Sequence, residues 1–193
     1  MAAIRPNKGT ALLAALMAVG LGGCAKPTPL PTLGVIPEFN LVDQSGNRFS
    51  SKERLDGRIW VADFIFTNCA GPCPRMSRQM KTVSEQFSGV SDLQLISFTV
   101  DPARDTPEVM AEYARRYAAN PATWSFLTGS VAELQTLCRD AFMLGNVDGK
   151  LEHSTRFVLV DRKARIRGFY DSSDPAHLAK IITDIKDLRK DNT

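Results

Sequence analysis

Ile59-Trp60-Val61-Ala62-Asp63-Phe64-Ile65-Phe66 runs into Thr67-Asn68-Cys69-Ala70-Gly71-Pro72-Cys73-Pro74, and the reading of this stretch decides the fold. Its first half is a dense apolar, β-rich run, the pattern of a short strand buried on both faces. Its second half is a loop that leads into a helix, predicted from Pro74 to Phe87, with Met76, Met80, Val83 and Phe87 among the apolar positions. Two cysteines therefore stand where a buried strand hands over to a helix N-terminus.

The same alternation of strand and helix signals continues on both sides. Upstream, Phe39–Phe49 reads as two short strands around a polar turn that contains Gly46. Downstream, Leu93–Val100 is a second buried strand. Thr106-Pro107-Glu108 supplies an N-cap, a proline at the first helical position and an acid in the first turn, opening a helix to about Ala119. Ser130-Val131-Ala132-Glu133 matches a capping box for the next helix. Phe157–Asp161 and Ile166–Tyr170 read as a hairpin joined through Arg162–Arg165, and Asp174-Pro175 caps a last helix to about Lys190. The order β–α–β–α–α–β–β–α with a terminal antiparallel hairpin is the plan of a thioredoxin-like α/β domain, a central mixed sheet flanked by helices. It occupies 35–193.

The N-terminal residues are of another kind. Arg5 and Lys8 precede the apolar run Ala11–Gly20, which is shorter than the ~20 residues of a spanning helix. The run closes on Leu21-Gly22-Gly23-Cys24, small residues against a cysteine, a pattern similar to the lipobox of bacterial lipoproteins. Residues 1–23 are then a signal peptide and Cys24 the acylated N-terminus, with several acyl chains giving a stable anchor. The proline-rich 24–34 is an extended tether. The domain is expected on a cell membrane, lipid-anchored, facing the periplasm.

The chain carries 24 Lys+Arg against 21 Asp+Glu, a formal charge of +3. Removing the leader takes away Arg5 and Lys8 and leaves 22 positive against 21 negative side chains. A near-neutral domain lacks the electrostatic footprint of nucleic-acid binding, and that class is excluded. With 44% hydrophobic residues, disorder of the bulk is excluded too.

The chemistry lies in Cys69 and Cys73. A helix N-terminus favours negative charge, so at least one thiol is expected to have a lowered pKa. A thiolate is both the nucleophile of disulfide exchange and a soft metal ligand. A purely structural disulfide is the competing reading in an exported protein, weakened because so short a loop gains little from closure. His153 enters in Gly149-Lys150-Leu151-Glu152-His153-Ser154, directly before the penultimate strand. In a thioredoxin-like layout the loop entering that strand packs against the dithiol. Two thiolates and an imidazole suit Cu(I) and can adapt to Cu(II), whereas structural zinc wants a fourth ligand.

Phe66-Thr67-Asn68-Cys69-Ala70-Gly71-Pro72-Cys73-Pro74 resembles the Phe-Thr-x-Cys-x-x-x-Cys-Pro signature of the SCO/SenC family. Asp101-Pro102-Ala103-Arg104-Asp105-Thr106-Pro107 is similar to the family's second motif, and His153-Ser154 with Leu159-Val160-Asp161 to its third. The resemblance spans nearly all of Phe39–Tyr170 in order. It implies a membrane-tethered domain that binds one copper ion through Cys69, Cys73 and His153 and serves copper-centre assembly in cytochrome c oxidase. Its partners would be a copper donor and the oxidase's copper-site subunit, with Asp101 near the site in a supporting position. The alternative is a thiol–disulfide reductase that uses Cys69 and Cys73 as a redox-active pair to keep that subunit's cysteines reduced. Cys138 falls at helical spacing with Leu134, Leu137, Ala141 and Phe142 and reads as a core thiol; Met76 and Met80 read as core, and His177 as solvated.

Overall fold

The computed structural model describes residues 29–145 and 154–191. The leader, Cys24, the first part of the tether and His153 lie outside the described residues.

Eight strands form one sheet: β1 (Gly34–Val35), β2 (Asn40–Asp43), β3 (Arg48–Ser50), β4 (Ile59–Ile65), β5 (Leu93–Thr99), β6 (Trp124–Thr128), β7 (Arg156–Val160) and β8 (Arg165–Asp171). Their spatial order is β1-β8-β7-β4-β5-β6-β2-β3. β4, β5 and β6 are parallel; β7 and β8 form the antiparallel hairpin, and β1 adds to its edge. The helices are α1 (Ser51–Leu55), α2 (Cys73–Gln86), α3 (Pro107–Arg116), α4 (Val131–Gln135) and α5 (Pro175–Lys190). This is the thioredoxin-like mixed sheet flanked by helices.

All seven residues of β4 are buried, as its unbroken apolar run requires of a strand covered on both faces. Side chains alternate between the faces. Trp60, Ala62 and Phe64 join Phe39, Phe98, Cys138 and Phe142 in one core, where Phe64 stacks on Phe98 with centroids 4.9 Å apart. Ile59, Val61 and Ile65 pack in the other core with Met76, Met80 and Val83 of α2, Met110 of α3 and Ile181 of α5. Met76, Met80 and Cys138 are thus core residues, as their spacing predicts.

Several boundaries differ from the sequence reading. β6 and α1 go unpredicted: Trp124–Thr128 is a short run that mixes apolar and polar residues between Asn120-Pro121 and Gly129-Ser130, and α1 is five residues long. β6 is completed by parallel pairing with β5, a non-local contact. α3 ends at Arg116 rather than near Ala119, because Ala118 takes φ +50° and the chain turns. The capping box at Ser130 and Glu133 is present, but after α4 the helix widens into a π turn over Thr136–Ala141. There the Phe142 N–H donates to the Leu137 carbonyl, and Cys138 and Phe142 both turn into the core.

Candidate metal centre

β4 ends at Ile65, and the chain crosses the sheet's upper edge through Phe66–Pro72 before α2 begins at Cys73. Pro74 lies in the first turn of α2, where its missing N–H costs nothing. The Arg75 and Met76 N–H groups both donate to the Pro72 carbonyl, which closes the first turn around Cys73. The Cys69 N–H donates to the Phe66 carbonyl at 3.3 Å. A Cβ on Gly71 would lie 4.0 Å from the Cys69 sulfur, so the thiol leans over the glycine.

Cys69 is half-buried and Cys73 fully buried; neither is in a disulfide. The two thiols are in hydrogen-bond contact, and the Phe66 backbone also hydrogen-bonds Cys73. Burial pushes the Cys73 thiol up, with its hydrogen bond to Cys69 and the nearby charges of Cys69 and Asp63 acting in the same direction. For Cys73 the lowering expected from a helix N-terminus is outweighed, because desolvation of the thiolate in an apolar core exceeds the dipole's attraction.

Two carboxylates frame the dithiol that the sequence reading did not single out. Asp105 is 1% exposed and holds the loop to the sheet. Its carboxylate accepts from the Thr67 N–H at 3.2 Å, from the Thr67 hydroxyl at 2.5 Å and from the Thr99 hydroxyl at 2.5 Å. Asp101, the acidic residue of the same motif expected near the site, pairs with Arg104 at 2.7 Å, and its N–H donates to the Thr99 hydroxyl, which in turn donates to Asp105. Asp105 is therefore the acid of this motif that fixes where Phe66–Cys69 lies.

Asp63 lies on β4, six residues before Cys69, and is fully buried. Neither carboxylate oxygen has a hydrogen bond of acceptable geometry among the described residues. Ser97 accepts the Trp124 indole N–H at 3.0 Å and is near enough to Asp63 only to offset part of the effect of burial. Burial pushes the Asp63 carboxyl up to about 7. The sequence signal was an acid inside the apolar run Ile59–Phe66.

No group of three His, Cys, Asp or Glu side chains placed to hold a metal ion occurs among the described residues. The expected third ligand, His153, lies outside them. The strand that follows it is a neighbour of β4 in the sheet. β7 pairs antiparallel with β4 in the register Trp60↔Val160, Val61↔Leu159, Ala62↔Val158. β7 begins at Arg156, three residues after His153, and its partner β4 is the strand that leads into the dithiol loop. His177 is more than solvated: its Nδ1 accepts from the Asp171 N–H at 2.7 Å and its ring meets Tyr170 edge-on. Met143 is 51% exposed at φ +55°.

Residues 28–189 match the sequence pattern of the SCO1/SenC family. The fold is similar to that of a SCO1/SenC family lipoprotein from Bacillus anthracis, with a TM-score of 0.75 and 30% identity, covering 84% of this chain and 99% of that one. It is also similar to BsSco, described as a member of the Sco family of cytochrome c oxidase assembly proteins with a disulfide switch: TM-score 0.73, 30% identity, 84% of this chain and 98% of that one. Yeast Sco1 with copper bound matches with a TM-score of 0.61 and 29% identity over 81% of this chain and 94% of that one.

Proposed function

The chain belongs to the SCO1/SenC family, and from that premise we propose that it is a copper metallochaperone of cytochrome c oxidase assembly. In this reading Cys69, Cys73 and His153 hold one copper ion and pass it to the oxidase's copper-site subunit, after a separate donor has loaded it. The observation that carries the proposal is the pair of thiols in hydrogen-bond contact at the β4–α2 junction. Two neighbouring sulfurs suit a soft ion such as Cu(I), for which thiolates are preferred ligands. The pairing of β7 with β4, the strand that leads into the dithiol loop, supports His153 as the third donor, since β7 begins at Arg156, three residues after it. The copper-bound yeast relative supports the metal, and the description of BsSco supports the pathway. Bound copper would supply cargo rather than catalysis. This chain's residues hold two sulfurs together, give up their protons as the ion enters, and keep the loop fixed through Asp105.

The Leu21-Gly22-Gly23-Cys24 motif and the lipoprotein description of the Bacillus anthracis relative support a lipid anchor on Cys24, with the domain facing the periplasm. Among the described residues no helix is long and apolar enough to cross a membrane.

The test is copper stoichiometry of the purified chain. The reduced protein is expected to bind one copper ion, and the Cys69–Cys73 disulfide form none with high affinity, because a disulfide has no thiolate to donate. Undiminished binding by the oxidised protein refutes the site. The same sulfur contact favours a second reading, a thiol–disulfide reductase, because two adjacent thiols can be oxidised to a disulfide and reduced again. His153→Ala separates the two: a chaperone loses copper retention, whereas a reductase keeps copper affinity and loses disulfide reduction.

A further inference from the structure

The end of the sheet opposite the dithiol carries a cationic cleft at the point where the tether joins the domain. The β7–β8 turn, the N-terminus of β5 and the C-terminus of α5 meet there. The tether lies against them: the Leu33 N–H donates to the Ile166 carbonyl, and Arg167 donates to the Leu30 carbonyl. Pro29 and Thr32 of the tether form one wall of a cleft of about 400 Å³, and Arg162, Arg165 and Arg167 line the other.

The charges of this pole do not cancel. Arg165 and Arg167 share one carboxylate, Asp161, at 2.7 and 2.8 Å. Arg162 and Arg189 share another, Asp92, at 2.7 and 3.0 Å. The cleft itself is lined by three cations, Arg162, Arg165 and Arg167, against two carboxylates, Asp161 and Asp191. Donors are also left over. The Arg167 side chain is 10% exposed, and its buried Nε has no hydrogen-bond partner among the described residues. Arg165 uses only its Nε on Asp161, so its terminal nitrogens remain for another acceptor. A guanidinium with spare N–H groups matches the geometry of a phosphate.

The chain's own length says what lies next to this cleft. Cys24 is five residues before Pro29, a span of at most about 17 Å. Given the lipid anchor proposed above, on which this inference rests, the cleft is held within that reach of the bilayer. The dithiol stands at the other end of β4, about 20 Å away at the rise of a strand. Anionic headgroups attract clustered Lys and Arg at this range, an attraction that salt screens.

We infer that the cleft formed by Pro29, Thr32, Arg162, Arg165 and Arg167 binds the phosphate of an anionic phospholipid headgroup. Binding there seats the tether pole on the membrane and turns Cys69 and Cys73 away from it. Arg165, with its free terminal nitrogens, makes the outer contact and Arg167 the buried one, both held by Asp161. Arg162, whose terminal nitrogens donate to Asp92 and to the Leu188 and Asp191 carbonyls, adds its charge.

The test uses the mature, acylated chain in nanodiscs of phosphatidylcholine alone or with 30 mole per cent phosphatidylglycerol, read by amide hydrogen exchange (a probe composition on the order of native anionic content). Exchange in the 161–167 segment is expected to slow at least ~3-fold in the anionic discs, and to lose that protection in high salt and in Arg165→Gln. Equal exchange in the two lipid compositions overturns the inference. So does equal protection in neutral discs on adding inorganic phosphate, which would mark a small-anion site. Should Arg165→Gln fail to fold, the wild-type comparison between lipids decides alone. Intact mass of Cys24 is read on the same sample: an acylated chain without lipid-dependent protection refutes the cleft, and an unacylated one refutes the anchor.

Discussion

Replacing Asp63 by asparagine should stabilise the domain at alkaline pH and leave it nearly unchanged below about pH 4. The unfolded carboxyl ionises at its ordinary 3.8 and the folded one at about 7. Between those values the folded chain holds a proton that the unfolded chain has lost, so stability falls as pH rises. The full contribution is present below the unfolded value, is lost through the window from about 4 to 7, and the penalty is constant above it. A shift of about three units at 1.36 kcal/mol each corresponds to about 4 kcal/mol. The amide introduced by Asp63→Asn would itself be buried without partners, at about 1–3 kcal/mol, a cost similar to that of the neutral acid it replaces. The expected pattern is equality within about 1 kcal/mol at about pH 4 and below, a gain for the variant of about 1–2 kcal/mol near pH 5 and of about 4 kcal/mol near pH 8. Urea unfolding of the reduced proteins at several pH values measures it, and the thiolate absorbance of the same samples should show Cys73 ionising more readily once the Asp63 charge is gone. Wild-type and variant stabilities that run parallel from pH 4 to 8 would refute the argument from burial.

Removing the Asp105 carboxylate in Asp105→Ala leaves the Thr67 N–H and the Thr67 and Thr99 hydroxyls without their acceptor; a loss of about 3 kcal/mol is expected by chemical denaturation, with a looser dithiol loop seen as faster exchange of the Thr67–Cys69 amides. Asp101→Ala, which breaks only the partly exposed pair with Arg104, should cost about 1 kcal/mol or less in the same assay. His153→Ala should weaken copper retention roughly tenfold or more while moving the dithiol potential by only tens of millivolts, measured by competition with a copper chelator and by equilibration in redox buffers. Cys24→Ser should leave the chain soluble or retained with its leader; membrane fractionation after leader removal would show the lipobox reading to be wrong.

Local signals were sufficient wherever a pattern is written into consecutive residues. The apolar run Ile59–Phe66 announced a doubly covered strand, Thr106-Pro107 and Asp174-Pro175 announced helix starts, and Cys69-x-x-x-Cys73 announced a thiol pair at a strand–helix junction. Backbone conformation and capping are properties of a few neighbouring residues, so they survive in one dimension. The last turns of helices and the short strand β6 did not, because they are completed by contacts from elsewhere: β6 exists through its pairing with β5 and β2.

The site divides in the same way. Sequence alone determined which residues are chemically able to act: two soft thiols at one junction, with motifs in an order that resembles a single family. Only the tertiary structure decided how those groups behave. Cys73 reads in sequence as a thiol activated by a helix N-terminus, yet burial against Met76 and Ile65 pushes its pKa upward. Asp101 and Asp105 are four residues apart in one motif and alike in sequence. The turn Asp101–Asp105 faces one toward Arg104 and buries the other under Thr67, 38 residues away along the chain. Asp63 reads as one acid in an apolar run, and its orphaned carboxylate depends on a sheet and two cores closing around it. Desolvation and hydrogen-bond partnership are set by what lies within a few ångströms in space, and that neighbourhood comes into being only when the distant segments pack.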